Sequence, residues 1–212
     1  MRKILILFWL LVPVAMAAYH YGPGQQLMTV DGVGSTLRQA EKLVAEAKAL
    51  VEADKQRDAN PVFAEAIEKF DEAILNLPKE NLREIQRIRL EKAKALFASQ
   101  KNPTARKELD ALLDELNKEK GENRDEQLVD DTQKALAASQ FYMTWLMRIE
   151  GHPREIWEPE ALRSRQNYQA LAERAEKVGG TKAKSAKQDL EASVRLALVD
   201  LQDLQGLPLP SQ

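Results

Sequence analysis

The chain has no cysteine. That excludes disulfides, a thiolate nucleophile or metal ligand, and a lipid-modified N-terminal cysteine, so stability must come from packing. Histidine is nearly as scarce, with only His20 and His152. Neither stands in a ligand-like pair such as His-Glu-x-x-His, so both read as solvated loop residues rather than metal ligands or catalytic bases. Aromatic residues make up 6% of the chain, and the net charge is −2 with the two signs closely interleaved. There is no basic footprint for nucleic acid and no polybasic stripe for anionic lipid. Strand-like alternation and hairpin turn signals are missing as well.

The N-terminus carries the one long apolar run. Met1-Arg2-Lys3 is positive, Ile4 to Val14 is apolar, and Ala15-Met16-Ala17 offers small residues at Ala15 and Ala17, where a signal peptidase reads. The run is shorter than the roughly 20 residues that span a bilayer. Residues 1–17 therefore read as a cleaved signal peptide, with an uncleaved anchor as the alternative and the only route to a membrane. Losing Arg2 and Lys3 with the leader takes the net charge from −2 to −4. A disulfide-free exported chain points to a bacterial envelope, either periplasmic or extracellular.

Residues 18–34, rich in glycine, read as a flexible tether. Gly32 to Ser35 lacks the lysine and the preceding strand of a phosphate loop. Ser35-Thr36 can cap a first helix with a seam at Leu37, Ala40, Val44, Ala47 and Val51. Asn60-Pro61, Asn102-Pro103 and Glu158-Pro159 are start signals for later helices. A fifth helix spans about Asp131 to Ile149, Gly179-Gly180 closes the sixth, and a last one runs to about Leu204. The fold class is all-α: helical hairpins over 35–204 and a frayed tail over 205–212.

The segment FAEAIEKFDEAILNLP, Phe63 to Pro78, is the most patterned. Phe63, Ala66, Ile67, Phe70, Ala73, Ile74 and Leu77 form a helical stripe closed by Pro78, and its alanines admit a second helix closely. This spacing resembles the second helix of a tetratricopeptide repeat. A second copy fits loosely, with Ala66 set on Ala105 or Asn60-Pro61 set on Asn102-Pro103, and both registers keep an apolar stripe. Here Leu112 stands for an expected alanine and Asn117 for the closing proline. The resemblance implies stacked antiparallel hairpins in a superhelical array, closed by a C-terminal capping helix over Leu190 to Leu204. It further implies a concave groove lined, with Ala93 as the small residue of its helix, by Arg87, Leu90, Glu91, Lys94 and Phe97.

Chemistry-bearing constellations are few. Carboxylates alternate with Lys and Arg at helical spacing, as on solvated helix faces. Asp130-Asp131 with Glu126 reads as helix N-terminal charge before calcium binding. Phe141, Tyr142 and Trp145 read as core or as a contact patch, and Trp157, in the loop GHPREIWEPE, as a partly exposed aromatic. The sequence predicts no catalytic residues, metal or cofactor. The expected function is a non-enzymatic exported scaffold for a protein or peptide partner. The alternative is an N-terminally anchored, self-associating helical spacer. An intact mass matching a chain that starts at Ala18, measured on protein expressed with its leader, is the expected outcome, and the uncut mass would favour the anchor.

Overall fold

The computed structural model describes residues 23–121, 124–200, 203–206 and 210. The leader, with Ala15 and Ala17, and the first part of the expected tether lie outside the described residues. What is described is all-α: seven helices and no strand. They are α1 (Pro23–Glu52), α2 (Gln56–Asn76), α3 (Leu82–Ala98), α4 (Asn102–Leu116), α5 (Glu126–Ile149), α6 (Arg154–Val178) and α7 (Gly180–Leu198), followed by a 3-10 turn at Leu204–Gly206. None is long and apolar enough to cross a membrane.

Several helix starts differ from expectation, each for a local reason. Residues 23–34 of the expected tether belong to α1. Ser35 and Thr36 do not cap it: their hydroxyls donate back to the Gly32 carbonyl at 2.8 and 3.1 Å, as hydroxyls do inside a helix. Helix α2 starts at Gln56, and Asn60 spends its side-chain oxygen on Gln56 Nε2 (2.9 Å) rather than on a backbone amide. Pro61 and Pro159 thus lie inside helices, near enough to the N-terminus that little hydrogen bonding is forgone. The real cap is Asp125 of α5, whose carboxylate accepts from Leu128 N–H at 3.1 Å. At the other end, α7 stops at Leu198, and Leu204 reaches the core from the 3-10 turn instead.

The chain divides into two compact units, Met1–Ile88 and Arg89–Gln212. In the first, α1 packs along α2. Phe63, Ala66, Ile67, Phe70, Ala73 and Leu77 of the expected stripe are buried, and Ile74 is half-buried. On α1 the alanines Ala40 and Ala47 are fully buried, while Leu37 and Val44 flank them half-buried. Small residues thus carry the closest approach, as the alanine pattern predicts.

In the second unit α5 is the central helix, packed against α4, α6 and α7, while α6 also packs on α7. One end of α5 joins a cluster with Leu90, Ala93, Leu109, Leu112, Leu113 and Leu116. Its other end joins Tyr168, Ala192, Leu196 and Leu204 around Phe141.

Three helix reversals share one hydrogen-bond pattern. After α1, Asp54 N–H donates to Val51 O and Lys55 N–H to Leu50 O, both at 2.9 Å, with Asp54 at φ 58°. After α3, Gln100 donates to Phe97 O (3.0 Å) and Lys101 to Leu96 O (2.9 Å), with Gln100 at φ 64°. After α5, Gly151 donates to Arg148 O (3.1 Å) and His152 to Met147 O (2.9 Å), with Gly151 at φ 76°. One left-handed residue in each closes the terminal carbonyls. Lys55 and Lys101 then precede α2 and α4. Setting one lysine on the other brings Ala59, Phe63, Ala66, Ile67 and Phe70 onto Ala105, Leu109, Leu112, Leu113 and Leu116, and all ten are buried. After α5 the equivalent residue is His152, and Pro153 intervenes before α6, which buries Ala161, Ser164 and Tyr168 one residue later than the same spacing would place them. Neither register expected from sequence is the one these turns set.

Gln100 holds a conformation that costs an L-residue about 1–2 kcal/mol. Gln100→Gly is expected to stabilise the protein by about 0.5–1 kcal/mol. Gly151→Ala should destabilise it by a similar amount or more. Urea midpoints of the two variants check both signs.

Candidate functional site

The expected groove on α3 is only partly a surface. Arg87 and Glu91 are exposed and Lys94 is half-buried, its ammonium 2.8 Å from the Glu91 carboxylate. Leu90, at 3% exposure, belongs to the core with Leu109 and Leu112 and lines no open face. Phe97 meets Tyr142 edge to face, with ring centroids 5.8 Å apart. Arg87 lies in the first unit and the other four residues in the second.

The aromatic group on α5 is largely internal. Phe141 is buried, Tyr142 stacks on Trp145 at 5.7 Å, and the Trp145 indole donates to the Leu204 carbonyl at 3.1 Å. Trp157 is half-buried in the first turn of α6 rather than in a loop, and the Arg148 guanidinium sits 4.8 Å from its ring centroid. Arg148 is itself buried. It donates to the carbonyls of Leu196 and, at 2.6 Å, Val199 at the end of α7, where a cation also meets the negative end of the helix dipole. Burial pulls its pKa below the usual arginine value, partly offset by Asp200. Arg148 thus clamps the end of α7 to α5 and to Trp157 of α6.

A cleft of about 290 Å³ lies among α5, α6 and α7 in the second unit. Helix α5 contributes Asp130, Asp131 and Lys134; α6 contributes Tyr168, Leu171, Arg174, Ala175 and Val178; α7 contributes Lys182, Ser185, Ala186 and Asp189. The volume is close to the lower end for small-ligand sites. A polar ladder fixes one wall. Arg174 donates to Asp130 (2.7 Å) and to the Gln133 side-chain oxygen. Gln133 donates to Asn167 (3.0 Å), and Asn167 to Gln140 (2.9 Å). Ser164 Oγ adds a bond to the Ala137 carbonyl at 2.9 Å. Together these bonds hold α6 in register on α5.

The mouth and floor of the cleft differ sharply. Val178 is 78% exposed, whereas Tyr168 is 1% and Asp189 7% exposed. The Tyr168 hydroxyl is buried with no hydrogen-bond partner among the described residues. Burial, with Asp189 adding to it, raises the phenol pKa far above its ordinary value, so the hydroxyl stays protonated. Among the described residues no three His, Cys, Asp or Glu side chains gather to hold a metal ion. His152 is exposed beside Glu150, its Nε2 3.3 Å from the carboxylate, and His20 lies outside the described residues.

No family model, no curated protein and no solved structure matches the chain.

None of the cleft's floor was visible as a unit in the sequence. Tyr168 sits in an ordinary helical stripe, and Asp189 lies in a basic stretch. Only their meeting across α6 and α7 sets them apart.

Arg148→Met is expected to destabilise the protein by about 2–3 kcal/mol, because the substitution strips two carbonyls of a charged donor and vacates the face of Trp157. A urea titration followed by tryptophan fluorescence measures it.

Proposed function

We propose that the chain is an exported, non-enzymatic helical-repeat scaffold that binds a protein or peptide partner in the bacterial envelope. The hairpins α1–α2, α3–α4 and α5–α6 are its degenerate tetratricopeptide-like repeats, and α7 is the helix that closes the last. The observation that carries this reading is the shared turn, with its matched burial at Ala59/Ala105, Phe63/Leu109 and Phe70/Leu116. Equal turns followed by equal buried stripes are what repeated helical pairs need if each is to cover its neighbour. The export part rests on the pattern of Met1 to Ala17 in the sequence.

The recognition site on this reading is the α5–α6–α7 cleft. Its apolar walls with charged residues at the rim fit an extended chain carrying polar side chains better than a single anion. The face of Arg87, Glu91 and Lys94 is the competing surface.

A pull-down from the native host with protein beginning at Ala18 separates the two, partners being identified by mass spectrometry. A partner lost with Val178→Asp/Lys182→Glu and kept with Arg87→Ala/Lys94→Ala is the expected result. The reverse pattern moves recognition to α3. A chain that captures only itself and scatters light as an oligomer replaces the scaffold with the anchored, self-associating spacer.

A further inference from the structure

The second unit carries a row of aromatic rings that its core does not enclose. Phe97 of α3 meets Tyr142 of α5 at 5.8 Å, and Tyr142 meets Trp145 at 5.7 Å. All three are half-buried. The Tyr142 and Trp145 rings lie within 23° of parallel and make one flat step, while Phe97 stands at 89° to it. Rings fixed in this way offer a large apolar contact at small entropic cost. The unit's other aromatic residues are spoken for: Phe141 and Tyr168 are buried, and Trp157 faces Arg148.

The C-terminal tail is rooted beside this row. Trp145 donates to the Leu204 carbonyl at 3.1 Å, and Gly206 is exposed just beyond it. Pro210 is then buried again. A buried residue touches about 6–12 others, more than its chain neighbours can supply, so a folded surface covers Pro210. The chain from Gly206 to Pro210 reaches about 14 Å at full stretch, so that surface lies near the turn that Trp145 holds. The sequence from Leu207 to Pro210 is Leu-Pro-Leu-Pro. Proline has a fixed φ and no backbone donor, so such a segment forgoes little freedom on docking and suits a groove lined by aromatic rings.

We propose that the Phe97–Tyr142–Trp145 row is a docking site for a proline-bearing segment and that the chain's own tail is its resident occupant, with the Pro210 ring seated against Tyr142 and Trp145. This contact stands whichever surface takes the partner. The short tether gives the tail an effective concentration on the order of millimolar. A second proline-bearing segment therefore meets a closed row and must displace the tail to use it.

A nuclear Overhauser spectrum of the intact chain tests the seat directly. Cross-peaks from the Pro210 ring protons to the Tyr142 or Trp145 rings are expected, and their absence overturns the assignment wherever else Pro210 makes contact. Pro210→Asp sets a carboxylate against apolar rings and is expected to release the tail. The Tyr142 and Trp145 ring resonances should then move while those of Phe141 and Tyr168 stay; unmoved Tyr142 and Trp145 resonances would overturn the seat. The free heptapeptide Gly-Leu-Pro-Leu-Pro-Ser-Gln is the probe for the docking site. It should shift the row's resonances saturably in Pro210→Asp and bind the parent about ten-fold more weakly or worse. Equal affinity for both chains would overturn occupancy by the tail, and no binding to the variant would overturn the docking site itself.

Discussion

A helix that must reverse within three or four residues leaves its last carbonyls to be satisfied by whatever follows, and this requirement organises the described chain. The solution after α1, α3 and α5 is the same: one left-handed residue and two crossing amide bonds. After α1 and α3 the turn leads straight into the next helix, and so it also fixes the phase of that helix's buried face. Ala59, Phe63 and Phe70 are buried for the same reason as Ala105, Leu109 and Leu116: each set lies at the same distance from its turn. The hydrophobic effect supplies the driving force, but the turn decides which residues receive it.

Legibility in the sequence follows from this. The stripe from Phe63 to Leu77 could be read, since burial at helical period needs no knowledge of the partner helix. The all-α class and the closure of α6 at Gly179 were legible for the same local reasons. The phase in which α2 and α4 bury their faces was not, because it follows from the turns before them. Asn102-Pro103 does open α4, but Asn60-Pro61 lies inside α2, which begins at Gln56, and Asn60 bonds back to Gln56. The residues that reverse the chain are Asp54 and Gln100, and a left-handed glutamine is rare enough that it announces no turn.

The site was less legible than the fold. Leu90 was assigned to a groove by analogy, and the packing of α4 claims it for the core. Trp157 read as loop because Pro159 follows it, yet α6 begins before both. The cleft could not be read at all, because Asp131, Tyr168 and Asp189 meet only after three helices have packed. What the sequence did supply was alternating charge along those helices. Packing sorted the charges, leaving Asp189 buried while Lys182 stayed in water.

Leu204 sits at the far end of the second unit's chain, fully buried against Phe141 and Leu196, with its carbonyl held by the Trp145 indole. The keystone of that core is therefore made after every helix it holds together. Chains emerge from the ribosome N-terminus first, and domains fold as they become complete. The first unit can close while synthesis continues, but the second waits for its final turn to be released.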